Sequence, residues 1–447
     1  MTLEMSLLDD LLAQAKKLGA SAADVLAVDS ESFSAGVRLR AVETLKQSAE
    51  RCVGLRLFAG KRSAVSATSD LRPAALRKLL EETWAMAKHT AEDPFAGIPE
   101  GSLLPASEPE GLFDAQIREL DAERKLEMAT ACEDGALSSD PRLTNSEGAE
   151  CGTDATRRFY ADSRGFRGEY RASSISVSVA PVAKEDGKMQ VDSWWSASRS
   201  LRALERPEEV GRIAASRVLR KLGARKGKTC KVPVVFDPVT AGQLLGAICG
   251  AVNGSSVYRK MSFLAGKLGE KVAAEAVTVV DDALLPGGLG SRPFDAEGLP
   301  SRRTLVLSKG VLQTYLCDSY AARKLGQAST GNASRGPGES VSVSPTNFWM
   351  LPGTTKPEAI LAEVPDGLYV TGLMGFGVNG VTGDYSQGAE GIWIEKGQLA
   401  YPVEGITIAG NLLAMLKAID AVGDDLVHQG TVNAPTLRVA GMTVAGN

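Results

Sequence analysis

Side chains able to do chemistry are few in this sequence. Only two histidines occur, His89 and His428, so a histidine triad or a multi-histidine metal site has little to draw on. Both read as surface or capping residues. Six cysteines stand at 52, 132, 151, 230, 249 and 317, with no C-x-x-C pair. That scatter in a chain of 447 residues indicates reduced thiols in a cytosolic protein, with neither a disulfide framework nor a structural zinc site. No G-x-S-x-G elbow marks a nucleophilic serine. Asp281-Asp282 reads as a turn, because adjacent strand residues point to opposite faces and cannot pair their carboxylates.

One concentrated feature remains, the glycine-rich stretch from Gly372 to Asn411. It contains a formal G-x-G-x-x-G, Gly375 to Gly380. A dinucleotide fingerprint needs a helix directly after the glycines, so that phosphate meets its amino terminus. Here Val381 to Gly388, VTGDYSQG, is a poor helix, and the glycines read as turns between strands. Gly60-Lys61 is followed by Arg62, so it is no P-loop. Asn379, Thr382, Asp384 and Ser386 lie among the glycines. They could line a channel for substrate or a partner, or bond local backbone in Asx and Ser/Thr turns; the turn role weighs more. The basic run Arg225 to Lys231 reads as a solvated helix end and linker.

The elements around these residues follow from periodicity. Helices are expected at Ser6–Leu18 (capped by Ser6), Leu71–His89, Phe113–Leu137, Ser200–Leu222, Pro238–Val252 and Asn411–Ala421. Strands are expected at Asp24–Ser30, Ser34–Lys46, Arg171–Val182, Gln190–Ser196 and Val232–Phe236, and as short pieces at Thr436–Val439 and Met442–Val444. Arg157–Tyr170 reads as mixed and turn-rich. Hairpins turn at Gly60-Lys61, Lys309-Gly310 and Lys396-Gly397. Strand–turn–strand units without intervening helices imply antiparallel pairing. The class is α+β: an N-terminal mixed α/β region over 1–226, subdivided near 101–112, and a C-terminal domain over 227–447 dominated by a large antiparallel, barrel-like sheet. A formal net charge of −4 gives no sign of a nucleic-acid binder. The acidic amino terminus lacks the basic region of a signal peptide. The longest uncharged run, Pro238 to Tyr258, is broken by polar residues and glycines and reads as a buried helix with a turn.

Longer segments carry a resemblance. EDPFAGIPE at Glu92–Glu100, the strand and loop region Arg171–Trp195, MSFLAGKLGEKV at Met261–Val272, SPTNFWMLPG at Ser344–Gly353 and above all Gly377–Leu412 resemble the TldD/TldE family. Within it they resemble the TldE branch, also called PmbA and once described as modulators of DNA gyrase. The resemblance implies a cytosolic zinc metalloprotease built from two related subunits. TldD-type chains carry H-E-x-x-x-H, in which imidazoles on a helix hold zinc and the glutamate serves as base, with a later cysteine completing the site. The matching segment here is Gly246–Ala251, GAICGA. Gly246 and Ala251 stand at the histidine positions and Ala247 at the glutamate position, and no cysteine follows Cys317. Cys249 reads as a small buried residue.

The resemblance thus implies a protease-family subunit with no metal and no catalytic residue of its own, with zinc in a TldD-like partner. It implies a heterodimer with that partner, small or unfolded polypeptides as substrates (peptide-antibiotic precursors and antitoxin-like proteins among them), a cytoplasmic location, and no nucleic-acid or membrane partner. A homodimeric peptide- or protein-binding module acting without TldD is the alternative. A hydrolase using Asp384 and Ser386 without zinc is a third reading.

Overall fold

In the computed structural model, residues 3–100 and 107–446 are described. The first half is one antiparallel sheet clothed by helices: α1 (Met5–Lys17), β1 (Ala22–Arg38), β2 (Ala41–Ala59), β3 (Arg62–Thr68), α2 (Pro73–His89), α3 (Ala115–Glu119), α4 (Ala122–Leu137), β4 (Leu143–Asp162), β5 (Arg167–Glu185), β6 (Lys188–Val191), β7 (Trp194–Ser198) and α5 (Pro207–Leu219). The strand order is β3-β2-β1-β4-β5-β6, with β7 also on β5, and the sheet curls into a half-barrel. The amphipathic helices α1 and α2 bury Leu8, Leu11, Leu76 and Leu80 against Val25, Leu55 and Leu57. Helices α4 and α5 bury Met128, Cys132 and Val210 against Cys151 and Val177. Residues 101–106 of the anticipated linker lie outside the described residues, and the same sheet continues on both sides of it.

Several boundaries differ from expectation, each for a physical reason. The chain reverses at Leu39-Arg40, inside the stretch read as a strand over Ser34–Lys46. Both residues have positive φ, 49° and 65°. Buried Glu133 of α4 holds them there, accepting both backbone N–H groups at 2.9 Å. Phe113–Leu137 divides into two helices because Asp114 and Asp121 each cap a new start. Arg157–Tyr170 is not turn-rich. It is the end of β4 and the start of β5 around a tight turn, in which Asp162 accepts from the N–H groups of Arg164 and Phe166. Ser6 lies inside α1 and is not its cap; Glu4 stands at the N-cap, and its side chain makes no capping bond to the helix. Proline at the first turn delays α5 to Pro207.

The second half comprises β8 (Arg225–Lys226), β9 (Cys230–Phe236), α6 (Pro238–Ala251), α7 (Gly254–Tyr258), β10 (Val279–Asp282), β11 (Arg303–Ser308), β12 (Val311–Leu312), α8 (Ser319–Leu325), β13 (Ala333–Ser334), β14 (Ser342–Val343), β15 (Phe348–Met350), α9 (Pro357–Ala362), β16 (Asp366–Met374), β17 (Asp384–Glu395), β18 (Gln398–Asn411), α10 (Leu412–Lys417), β19 (Ile419–Val422), β20 (Val432–Asn433) and β21 (Leu437–Gly446). Pairing runs β21-β9-β16-β17-β18 and back to β21, which closes a five-stranded barrel. A closed ring with an odd number of strands cannot alternate direction throughout. The parallel pair is β9–β16; the other four pairs of the ring are antiparallel, so the expected barrel-like, mainly antiparallel sheet is present. The anticipated Lys-Gly turns are present: φ is 47° and 79° at Lys309-Gly310, and 51° and 77° at Lys396-Gly397. Positive φ at both central residues matches the right-handed twist of a hairpin.

Asp281 and Asp282 are not a turn. They form the end of β10 and are both buried. Asp281 accepts from Asn332 Nδ2 and Thr346 N–H at 2.7 Å each. The basic run is no bare linker either: Arg225-Lys226 pairs with β18, and Arg225 lies over the Tyr401 ring. The late helix is shorter than expected, and the two C-terminal pieces are one bulged strand, β21. Among the described residues no helix is long and apolar enough to cross a membrane.

Buried charge joins the two halves. Asp24 on β1 is wholly buried. It accepts from Arg56 of β2, with the closer nitrogen at 2.6 Å, and from Arg335 of the second half. Arg56 also reaches Glu297 at 3.3 Å. Beside them Phe294 inserts its ring against Phe166 and Tyr170. A second seam pairs Arg217 with Asp237 at 3.3 Å and Lys221 with Glu390. Removing one partner from a buried ion network leaves uncompensated charge. Asp24→Ala is therefore expected to lower unfolding free energy by about 3–5 kcal/mol, read as a drop in the urea midpoint at pH 7.

Candidate functional site

Where the halves meet, a cleft of about 580 Å³ opens between the outer edge of β3 and the loops around α7 and α8. Its walls are built by side chains that also hold the halves together. Loop residue Asp93 accepts from Tyr320 Oη at 2.7 Å and from Phe95 N–H at 2.9 Å. Arg323 of α8 donates to the carbonyls of Phe95 and Gly97 at 2.7 and 2.9 Å. The segment Glu92–Glu100, singled out in the sequence only for its resemblance, is thus a strap across the cleft. The hydrogen bond from Tyr320 holds the Asp93 carboxyl below its usual range. Burial, followed by that bond, pushes the Tyr320 hydroxyl up to about 12.

Acids in the cleft are already engaged. Glu297 accepts from Arg56 and from Ser319 N–H. Asp318 caps α8 through Ala321 N–H at 2.6 Å. Burial first, and then the neighbouring Glu297 charge, push the Asp318 carboxyl up to about 6. The cations are freer. Lys61 donates to Ala96 O at 3.0 Å. Arg259 donates to Tyr258 Oη at 3.1 Å and, among the described residues, forms no ion pair. Hydroxyls of Ser63, Ser255, Ser256 and Ser340 complete the lining. The arrangement offers donors for carbonyl or carboxylate oxygens beside an edge strand. Among the described residues no nucleophile–base pair is assembled in it.

Helix α6 leads into this cleft through Asn253, which caps α7 and donates to Val343 O at 3.0 Å. A Cβ built on Gly246 meets nothing within 4 Å, so a larger side chain has room there. Ala247 is half-buried and Ala251 buried. None of the three carries an atom able to ligate zinc. The buried Cys249 thiol is pushed up to about 12 by burial, which disfavours the thiolate that zinc requires. Among the described residues no group of three or more His, Cys, Asp and Glu side chains is arranged to hold a metal. The residues of α6 do not fit a zinc ion.

Asn379, Thr382 and Asp384 come together on the exposed β16–β17 loop. Asn379 Oδ1 accepts from the N–H groups of Val381 and Thr382, and Thr382 Oγ1 donates to Asp384 Oδ2 at 2.7 Å. Ser386 is exposed on β17, and its N–H donates to Gly377 O at 2.7 Å. A Cβ on Gly377 would lie 1.4 Å from Ser386 O, so this crossing requires glycine. None of the four lines the cleft. The loop reaches it indirectly, through the Phe263 N–H that donates to Gly380 O at 2.8 Å, two residues from cleft-lining Met261.

The cleft residues Asp93, Arg259, Glu297, Asp318 and Tyr320 escaped sequence reasoning. Asp318 and Tyr320 apart, they lie far from one another in the chain, and they form no spaced motif. The raised Asp318 gives them a measurable signature. Its folded pKa lies above the ordinary 3.8, so folding takes up a proton between those values. The stabilisation is full below about pH 3.8 and is lost as pH rises through about 6. Asp318→Asn keeps the cap but removes the titration. The urea-derived stability of the unsubstituted chain should therefore fall, relative to this variant, between pH 4 and pH 7.

Comparison with known proteins agrees with this architecture. Profiles of the PmbA/TldA metallopeptidases match residues 23–87 (domain 1), 115–222 (central domain) and 229–446 (C-terminal domain). The chain is 34% identical over 426 residues to Metalloprotease PmbA of Escherichia coli O157:H7, covering 94% of this chain and 92% of that protein. It superposes with a TM-score of 0.91 on a crystal structure described as a modulator of DNA gyrase from Bacteroides thetaiotaomicron. That match has 30% identity and covers 99% of this chain and 98% of the other. TldE from Thermococcus kodakarensis shares the fold, with a TM-score of 0.90 at 22% identity over 98% and 100% of the two chains. By its domain profiles, its full-length relatives and its architecture, this chain belongs to the PmbA/TldD metallopeptidase family.

Proposed function

We propose that this chain is a TldE/PmbA-like subunit without catalytic machinery of its own, which holds extended polypeptide for a zinc-bearing, TldD-like partner. The observation that carries this reading is the pairing of an intact interdomain cleft with α6. By the family resemblance, Gly246, Ala247 and Ala251 of that helix stand where the catalytic motif would supply two imidazoles and a carboxylate. Zinc in such an assembly polarises the scissile carbonyl and activates a water. In this chain the β3 edge offers unpaired backbone groups to an extended peptide, and Arg259 and Lys61 offer donors to its carbonyls or carboxylates. The Asp93–Tyr320 strap closes one side. The exposed bonding of Asp384 and Ser386 supports a turn role over a nucleophilic one.

Reconstitution tests the proposal. Mixed with a TldD-like chain carrying H-E-x-x-x-H, the protein should form a heteromer that cleaves an unstructured peptide and loses activity to chelator. Arg259→Ala in this chain should weaken peptide binding by the heteromer about tenfold and leave assembly unchanged. A stable homodimer that ignores the partner, yet binds the same peptide, would support an independent binding module instead.

A further inference from the structure

A second cavity, of about 270 Å³, lies between α4 and the ribbon of β1 and β2, and shares no lining residue with the interdomain cleft. At its buried end is Lys125, only 5% exposed. Lysine is almost never so buried without a partner. Among the described residues the Lys125 ammonium has neither an ion pair nor a side-chain hydrogen bond. It lies over the Phe33 ring, 4.3 Å from the centroid. A ring face attracts a cation but replaces only part of its lost hydration. Burial lowers the Lys125 pKa. The nearby Cys151 thiol is pushed up to about 11 by burial, so it supplies no counter-ion; Asp121 attracts the ammonium without forming an ion pair with it.

The same cavity is acidic toward solvent. Asp121 is exposed and Asp154 half-buried. Asp121 uses one oxygen to cap α4, and Asp154 uses one to accept from Thr156 Oγ1. Each keeps an oxygen for a ligand. Glu31, also in the lining, is neutralised by Arg118 at 3.0 Å. A dianion such as a phosphate ester would meet these carboxylates and be repelled. A ligand with its negative end inward and its positive end outward meets complementary charge at both ends.

We infer that this cavity binds a free amino acid or very short peptide as its zwitterion, with the carboxylate on Lys125 and the ammonium toward Asp121 and Asp154. The experiment is calorimetric titration of the full chain with L-alanyl-L-alanine at pH 7. Binding is expected, and Lys125→Met should weaken it about 30-fold, through loss of a charge-assisted hydrogen bond in a buried site. N-acetylation of the dipeptide should weaken it about tenfold. If Lys125→Met does not fold, the double variant Asp121→Asn, Asp154→Asn carries the test: it should weaken the free dipeptide and leave the N-acetylated one unchanged. No binding by the unsubstituted chain, undiminished binding by Lys125→Met, or equal affinity for the free and acetylated dipeptides would each overturn the assignment.

Discussion

A wholly buried aspartate, Asp24, must be matched by two guanidinium groups, and that requirement sets how the two halves of the molecule meet. A carboxylate removed from water is tolerable only where its lone pairs are filled by cations in good geometry. Arg56 comes from the neighbouring strand and Arg335 from the opposite half. Neither half alone completes the shell, so docking and charge neutralisation are one event. Arg56 then passes the constraint on to Glu297, and Glu297 to the start of α8 through Ser319 N–H. Arg56, Glu297 and Asp318 all line the cleft. The groups that fix the interface are also the floor of the candidate site.

This coupling explains why the cleft reads as a binding surface. Its acids are spent on arginine, on caps and on backbone N–H groups, and its remaining capacity is to donate. The α6 helix runs to the cleft but ends in small side chains, with space left around Gly246. A channel kept in shape beside a helix without ligands is what a substrate-holding subunit of a metallopeptidase would need. Catalysis in such an assembly would rest with a partner.

Local signals were legible and distant ones were not. The Lys309-Gly310 and Lys396-Gly397 turns carry their own conformational chemistry, and each appears where its residues place it. The amphipathic α1 and α2 are visible in their periodicity, and the apolar α6 in its uncharged run. The Leu39-Arg40 reversal could not be read, because Glu133, nearly a hundred residues on, holds it. A five-stranded ring needs one parallel pair, a property of closure that no strand displays alone. The reading of Gly246–Ala251 as a degenerate motif rests on resemblance alone. The cleft could not, since Asp93 and Tyr320 are joined only by tertiary folding. Polar residues crowded among glycines drew attention to Asn379 and Asp384, yet their bonding is local.

The central claim, that this chain brings a cleft but no metal to the chemistry, is tested most directly by metal analysis of the chain purified alone. Elemental analysis after dialysis against zinc-containing buffer should find far less than one zinc per chain, and the same sample should not cleave an unstructured peptide. One tightly held zinc per chain, with peptide cleavage abolished by chelator and restored by zinc, would contradict the account.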